Sequence, residues 1–335
     1  MMKVCICFSW MLLWPLFNFS QQQPVIINGK AQGSTYHIVY FDAQSRNFKP
    51  EIEQILKDFD LSLSTYITNS IISRINANEP NVLVDAYFIA CFKKAKEIWK
   101  YTNGAFDPTV YPLVNAWGFG PGKKLTIEKQ KIDSILKFVG FNKIKLKGNK
   151  IIKKDPRVSL DFNAFAQGYS VDVVSEFLSS KGITSYVVEI GGEVYAKGKK
   201  PNGDYWTIGI EQPSENKESA NPLKALAKLI DLSVATSGDY RKFIVENGVK
   251  YAHTISPKTG FPVKNNLLSV SLFADDAITA DAMATGIMVM GLEKAKVFLK
   301  KHKELQAYMI YSDENGNYQV YETAGLKDII SEITP

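Results

Sequence analysis

The stretch that decides the fold is SLDFNAFAQGYSVD, residues 159–172. SLDF is typical of a strand, the alanines follow with Asn and Gln in a short turn, and GYSVDVVSEFL continues with the spacing of a helix that has one apolar face. A helix normally needs only a capping side chain at its start. The small and uncharged polar residues crowded here exceed that need, which makes the turn a candidate for a functional role.

The segments on either side predict strands and helices that do not alternate strictly. Strand patterns, several with glycine or asparagine turns between them, occupy residues 25–43, 143–154, 158–162, 186–213, 226–263, 267–274 and 306–326. Helical spacing occupies residues 51–66, 85–104, 127–140, 166–178, 275–291 and 292–302. Residues 104–124 are rich in Gly, Pro and aromatic residues and predict a long ordered loop. Strands that cluster beside strands, with helices between the clusters, predict an α+β fold with a largely antiparallel sheet.

Composition indicates a folded protein and argues against nucleic acid as a partner. The chain has 335 residues, 45% of them hydrophobic, which is enough for one large domain or for two smaller lobes with cores of their own. The net charge of +6 is small for this length, and the lysines are spread along the chain. Nucleic acid is therefore not an expected partner.

The first twenty residues predict a secretory signal peptide. A single lysine precedes the apolar run CICFSWMLLWPLF, which is too short to span a bilayer comfortably, and NFSQQQ follows it. An uncleaved anchor helix is the alternative. Removal of residues 1–20 leaves Cys91 as the sole cysteine, so no internal disulfide is expected and the exported protein must rely on core packing.

Two side chains predict a metal site in the helix of ADAMATG, residues 280–286. Asp281 and Thr285 are four residues apart and share one helix face, where a carboxylate and a hydroxyl can bind one hard cation. The alternative is an Ala-rich helix packed on a sheet, in which Thr285 bonds back to a backbone carbonyl.

One of the three histidines is a candidate proton acceptor. His253 precedes the rigid turn SPKTGFP and can accept a proton from an attacking hydroxyl, although a strand-end histidine bonded to backbone is an equal alternative. His37 and His302 both fit structural positions, and the spacing of the three histidines fits no zinc signature. Ser237 and Gly238 can form an anion-binding nest, but a plain turn after a strand explains them as well.

Three common enzyme motifs fail to match. GFGPGKK, residues 118–124, lacks the spacing of a nucleotide phosphate loop and has Lys124 where a Ser or Thr would bind Mg²⁺. No GxSxG elbow is present, and no GxGxxG follows a first strand. Serine hydrolases and Rossmann dehydrogenases are therefore not supported.

Eight motifs in order along the chain resemble the ApbE-type FAD:protein FMN transferases. They are QGSTY (32–36), LSTY (63–66), NGAFDPTV (103–110), DFNAFAQGYSVD (161–172), EIGGEVYAKG (189–198), ATSGDY (235–240), HTISPKTGFPV (253–263) and ADAMATG (280–286). Each motif is weak alone, whereas eight in the family's order are specific. The resemblance implies that residues 24–335 form one flavin transferase domain with the ApbE fold.

The resemblance also implies the site residues. Mg²⁺ is expected at the carbonyl of Ala164, the carboxylate of Asp281 and the hydroxyl of Thr285, with His253 as proton acceptor and Asp281 essential for catalysis. FAD is expected to contact Gln32, Tyr66, Ala105, Phe106, Asp107, Asp161, Gln167 and Ile255. Core packing remains an alternative for Phe106, and turn capping remains one for Asp107.

Two positions depart from the family pattern. Gln167 stands where many relatives have lysine, so an amide replaces a charge that would neutralise phosphate directly. Gln32 replaces the methionine that is common before GTTY in relatives.

The implied reaction moves the FMN half of FAD onto a Thr or Ser hydroxyl of another protein, with Mg²⁺, and releases AMP. An FAD pyrophosphatase and a non-catalytic FAD-binding protein are the alternatives. The resemblance implies a periplasmic location or the outer face of the cytoplasmic membrane. The implied acceptor is a subunit of an ion-pumping redox complex, or a secreted FMN-binding domain, with a D-G-x-[ST]-like motif.

Overall fold

The structure is a computed structural model that describes residues 23–122, 124–213, 222–238, 243–246 and 249–333. The predicted signal peptide and the last two residues of ATSGDY lie outside these ranges. The eight α-helices of the described residues are α1 (Lys49–Leu63), α2 (Ile71–Asn76), α3 (Ala86–Tyr101), α4 (Tyr111–Trp117), α5 (Lys129–Leu136), α6 (Ala166–Ser180), α7 (Ala277–Met290) and α8 (Leu292–Lys301). In the described ranges, no helix is both long enough and apolar enough to cross a membrane.

Fifteen strands in the described residues form four sheets. They are β1 (Val25–Ala31), β2 (Ser34–Tyr40), β3 (Ile144–Lys147), β4 (Lys150–Lys153), β5 (Tyr186–Ile190), β6 (Glu193–Lys197), β7 (Trp206–Glu211), β8 (Leu223–Leu229), β9 (Leu232–Gly238), β10 (Phe243–Glu246), β11 (Val249–Ala252), β12 (Leu267–Ala274), β13 (Gln306–Ser312), β14 (Tyr318–Glu322) and β15 (Ile330–Glu332). The main sheet has the order β1-β2-β5-β6-β9-β12-β13-β14, and every neighbouring pair is antiparallel. The predicted α+β class with a largely antiparallel sheet is confirmed.

The two faces of the main sheet are covered by different layers. Helices α6 and α7 pack on one face, where Ala235 and Leu272 join the core beneath α7. A second antiparallel sheet, β15-β8-β7, covers part of the other face through Trp206, Ile210 and the inward residues of β8. Period-2 alternation along β9 makes this possible, since Val234 belongs to the second layer and Ala235 to the first.

The predicted strand over 158–162 is wrong. These residues form no strand because their backbone bonds are made elsewhere. The Asn76 amide donates to the Leu160 carbonyl and accepts the Leu160 N–H, both at 2.8 Å, and the Asp161 N–H donates to the Pro108 carbonyl at 2.8 Å. A sheet ladder is therefore replaced by side-chain and loop contacts.

The predicted loop over 104–124 is also partly wrong, because it contains α4. Pro112 lies in the first turn of this helix, where a missing N–H costs nothing. Gly118 ends the helix in the left-handed region with φ 84°. Pro and Gly therefore mark the two ends of a helix here instead of an irregular loop.

Candidate active site

A cavity of about 240 Å³ opens between the turn before α6, the side of α7 and the segment after β11. Most of the residues that were predicted to form the site line this cavity. They are Tyr66, Ala105, Phe106, Asp107, Asp161, Ala164, His253, Ile255 and Thr285. Segments that are more than 200 residues apart in sequence are thus brought to one place by the fold.

The predicted metal ligands meet where the turn before α6 contacts α7. The Thr285 hydroxyl donates to the Ala164 carbonyl at 3.3 Å, and the Asp281 Oδ2 accepts the backbone N–H of Gly168 at 3.0 Å. The hydroxyl of Ser237, from the end of β9, lies 3.3 Å from that of Thr285. A carboxylate, two hydroxyls and a carbonyl are therefore contributed along the contact between α7, the turn before α6 and the end of β9.

The Asp281 carboxylate is buried, with only 7% of the residue exposed. Burial raises the pKa of Asp281 to about 7, and the Gly168 N–H offsets this only in part. None of the ion pairs among the described residues includes Asp281. A buried carboxylate without a cationic partner fits a site for a bound cation.

The donor set suits Mg²⁺ in particular. Hard divalent cations prefer oxygen ligands, and Mg²⁺ commonly takes only one or two carboxylates with the remaining positions left to water and substrate phosphate. Across the described ranges, no group of three or more His, Cys, Asp or Glu side chains could hold a metal ion. Because the donors at this contact are all oxygen atoms, they fit a hard cation such as Mg²⁺ better than a softer metal.

His253 lies on the other wall of the cavity. Its ring is 6.3 Å from that of Phe119 in an edge-to-face arrangement. The turn that follows is pinned, because Trp117 Nε1 donates to the Gly260 carbonyl at 2.9 Å and Ile255 pairs with Pro262 in an isolated bridge. One imidazole therefore lines the same cavity as Thr285 and Ala164, just before a turn that these contacts hold in place.

Tyr66 and Phe106 differ in exposure. Tyr66 is 65% exposed at the cavity mouth, whereas Phe106 is 2% exposed and packs edge-to-face on Phe165 at 5.3 Å. Tyr66 is therefore available to stack on a ligand ring, while the Phe106 side chain belongs largely to the core.

Asp107 and Asp161 have carboxylates that the protein already holds. Asp107 Oδ1 accepts from the Thr109 N–H and hydroxyl at 2.9 and 2.6 Å, and Oδ2 accepts from the Phe141 N–H at 3.0 Å. Turn capping thus accounts for Asp107, and its contact with FAD stays a prediction. Asp161 Oδ1 accepts from the Asn163 N–H at 2.8 Å, and burial raises the pKa of Asp161 to about 6 although hydrogen bonds from Asn163 oppose this.

Three predicted site residues do not line this cavity: Gln32, Gln167 and Asp281. Asp281 lies directly behind Thr285, one turn earlier on α7. Gln32 sits at φ 55° in the β1–β2 turn, accepts from Ser170 at 3.3 Å and has a buried Nε2 with no hydrogen-bond partner. The Gln167 side chain lies against Gly191. The two glutamines therefore lie near the first turns of α6, outside the cavity lining.

Ser237 and Asn163 line the cavity but were not predicted as site residues. The motif ATSGDY contained the signal for Ser237, which a plain turn explained as well. Asn163 donates to the buried Thr65 hydroxyl at 3.0 Å and so joins the turn to the segment before Tyr66. Nothing in the spacing of the sequence indicated that contact.

Comparison with known proteins gives a consistent result. Residues 32–309 match the family model described as the ApbE family. The chain is 40% identical over 308 residues to an FAD:protein FMN transferase of Haemophilus influenzae, covering 87% of this chain and 88% of that protein. It is 34% identical over 319 residues to an FAD:protein FMN transferase of Vibrio cholerae, covering 92% and 94%.

Solved structures agree. The flavin transferase ApbE from Vibrio cholerae matches with a TM-score of 0.80 and 34% identity, over 92% of this chain and 99% of that one. The apo form of the Pseudomonas stutzeri flavinyl transferase ApbE matches with a TM-score of 0.83 and 30% identity, over 93% and 98%.

Proposed function

The chain belongs to the ApbE family, and we propose on that premise that it transfers the FMN half of FAD to a Thr or Ser hydroxyl of an acceptor protein, with Mg²⁺, and releases AMP. Relatives of this length and identity are transferases of this name, which supports the reaction type. The observation that carries the metal-dependent reaction is the meeting of Asp281, Thr285 and the Ala164 carbonyl beside the cavity that His253 also lines.

Asp281, Thr285 and the Ala164 carbonyl would hold the Mg²⁺. A bound Mg²⁺ would offset charge on the diphosphate as the phosphorus–oxygen bond breaks. Gly168 keeps the Asp281 carboxylate oriented through its N–H, and the Ser237 hydroxyl is placed to accept a hydrogen bond from the Thr285 hydroxyl when the Thr285 oxygen is used as a ligand.

FAD would be bound in two parts. The cavity of about 240 Å³ is smaller than a typical pocket for a drug-sized ligand, roughly 300–1,000 Å³, so it suits one ring system and not a whole dinucleotide. The exposed Tyr66 ring would stack on that ring system. The rest of FAD would extend past the first turn of α6, whose backbone dipole favours phosphate, toward Gln167 and Gln32.

His253 would take the proton in the transfer step. The acceptor hydroxyl oxygen forms a bond to the phosphorus of the FMN phosphate, and the bond from that phosphorus to the bridging oxygen breaks. The bridging oxygen leaves with its electron pair as part of AMP, and the hydroxyl proton passes to a ring nitrogen of His253. Atoms and net charge balance, because FAD and the hydroxyl become the FMN phosphodiester and AMP while His253 gains the proton.

FAD pyrophosphatase activity is the second candidate. Its support is the exposure of Tyr66 at the cavity, 65%, since water that enters there would replace the acceptor hydroxyl. A non-catalytic FAD carrier would not require the buried, cation-free Asp281 beside Thr285.

The location and the acceptor are proposed from the sequence. The apolar run within residues 1–20 supports export, so the protein would act in the periplasm or at the outer face of the cytoplasmic membrane. The acceptor would be a flavoprotein with a Thr or Ser in a D-G-x-[ST]-like motif, such as a subunit of an ion-pumping redox complex.

Mass spectrometry tests the proposal. The protein without residues 1–20 is incubated with FAD, Mg²⁺ and a candidate acceptor, and we expect the acceptor to gain the mass of FMN while AMP appears in equal amount. A reaction without acceptor measures hydrolysis. Intact FAD and an unmodified acceptor, after several acceptors with the motif have been tried, would contradict the transferase.

A further inference from the structure

Helix α7 is joined to α6 and to the turn before α6 by three contacts that follow each other four residues apart. Asp172 contacts Ala277, Gly168 contacts Asp281, and Ala164 contacts Thr285. The residue number falls by four along the α6 segment while it rises by four along α7. Four residues are close to one turn, so the two segments run antiparallel with matching faces in contact.

The first of these contacts differs from the others because it uses both oxygens of a carboxylate. The N–H groups of Ala277 and Ile278, the first two residues of α7, donate to Asp172 Oδ1 and Oδ2, each at 2.8 Å. The third N–H, of Thr279, donates at 2.7 Å to Asp276, the helix's own N-cap. Asp172 therefore binds the positive end of α7 from a different helix.

Gly168 sets how closely the helices approach. A Cβ at this position would lie 2.3 Å from the Ala277 carbonyl oxygen and 2.7 Å from the Asp281 Cβ. The backbones are thus in direct contact at Gly168, while Asp172 holds the end of α7 one turn away. Together the two contacts fix the position of α7 along α6.

We propose that Asp172 is a positioning residue that sets α7 on α6 and thereby places Asp281 and Thr285 against the Ala164 carbonyl. The inference rests on the proposed function, in which these three groups hold Mg²⁺. Asp172 does not line the cavity, and its hydrogen bonds go to the start of α7 and to none of the three ligating groups, although its charge helps to raise the pKa of Asp281. A slide of α7 by one residue would move its ligands by about 1.5 Å, far beyond the roughly 0.2 Å that a metal site tolerates.

Asp172→Asn tests this role because the amide nitrogen cannot accept a hydrogen bond, so one of the two N–H groups loses its partner. Asp276→Asn is the control, since it alters a cap of the same helix and removes one carboxylate, together with the ion pair of Asp276 with Lys94. Isothermal titration gives the Kd for Mg²⁺ in the presence of FAD. We expect Asp172→Asn to raise this Kd about tenfold or more and Asp276→Asn to change it less than about twofold.

Two further measurements separate positioning from a structural cap. The KM for Mg²⁺ should rise in Asp172→Asn while kcat at saturating Mg²⁺ stays near the wild-type value, because the reacting groups are intact. Hydrogen exchange of residues 277–285 in the metal-free protein should be faster in Asp172→Asn than in Asp276→Asn. If Asp172→Asn does not fold, Asp172→Ser leaves one acceptor oxygen on a shorter side chain and should raise the Kd for Mg²⁺ at least as much as is expected for Asp172→Asn.

The outcomes that contradict the role are distinct from those that contradict the proposed function. Mg²⁺ binding that is equal in Asp172→Asn and Asp276→Asn would show that Asp172 only caps the helix. Wild-type protein that binds no Mg²⁺ would overturn the metal site itself, and the positioning role with it.

Discussion

The backbone N–H of Gly168 donates to Oδ2 of Asp281 across the contact between α6 and α7, at 3.0 Å. This bond joins the unusual turn of residues 161–168 to the helix with the predicted metal ligands. The close approach at this bond leaves no room for a side chain at residue 168. The small residues of the turn are therefore needed for the geometry of the site.

Gly168→Ala should therefore destabilise the protein. The added Cβ would meet the Ala277 carbonyl at 2.3 Å, so the helices must separate, and overpacking of this kind costs about 1–3 kcal/mol. Denaturant unfolding measures the loss. Gly286→Ala is the control, because its Cβ would meet only side-chain atoms at 3.0 Å or more. An equal loss in both variants would contradict the close approach at Gly168.

Asp281→Asn should abolish turnover and also the response of the protein to Mg²⁺. A ligand that binds only the folded state raises Tm, so Mg²⁺ should raise the Tm of the wild type and leave that of Asp281→Asn unchanged. Thermal unfolding with and without Mg²⁺, in the presence of FAD, measures both. A Tm rise that survives in Asp281→Asn would place the metal elsewhere.

Tyr66→Ala should weaken FAD binding about threefold to tenfold without loss of stability. Stacked aromatic rings contribute about 0.5–1.5 kcal/mol, and a side chain that is 65% exposed supports little of the core. Fluorescence quenching of FAD gives the Kd. Tyr318→Ala, which also removes an exposed tyrosine, should bind FAD like the wild type.

Gln167→Lys should tighten FAD binding, since an ammonium beside the first turn of α6 would neutralise diphosphate that the amide can only hydrogen-bond. The same titration measures it, and the gain should shrink at high salt. Gln319→Lys, an exposed change on the far edge strand, controls for net charge. A fall in affinity would mean that FAD phosphate does not pass this side chain.

The ion pair between Asp42 and Arg46 should stabilise the folded protein at neutral pH, and this contribution should be lost in acid. Arg46 donates to the Asp42 carboxylate from its backbone N–H and its guanidinium at 2.8–2.9 Å, which lowers the pKa of Asp42 to about 2. The lowered pKa in the folded state means that this contribution is complete above the unfolded pKa of about 3.8 and is lost as pH falls toward 2.

The stability difference between wild type and Asp42→Asn should accordingly shrink as pH falls through this range. Urea unfolding between pH 2 and pH 6 measures it. Asp155→Asn, in a pair that is more exposed, should give a smaller difference that salt reduces. A difference for Asp42 that is independent of pH would contradict the assignment.

The sequence predicted the hairpins and the long helices because each carries its own period and its own turn. β1 and β2 meet at Gln32 and Gly33, and both residues take the positive φ that a tight hairpin requires. The strand predicted at 158–162 failed because its partner is the side chain of Asn76, 84 residues away. α4 was not predicted because a proline is typical of loops as well as of the first turn of a helix, which is where Pro112 lies.

The site was predictable as a set of residues but not as a set of contacts. Motif order placed His253, Asp281 and Thr285 among the candidates, and the fold brings His253 and Thr285 to one cavity. The bonds that hold Asp107 internally depend on Phe141, and the bonds from Asp172 reach Ala277, more than 100 residues away. Periodicity shows which face of a helix is buried, but not which residue lies opposite.

The residues that line the cavity are spread along the sequence from Tyr66 to Val289. A growing polypeptide appears in order from its N-terminus, so for most of its synthesis it has only part of this cavity and neither Asp281 nor Thr285. Until Val289 has been added, the chain lacks part of the cavity wall. If the chain crosses a membrane unfolded, the FAD that it uses has to be present where it folds.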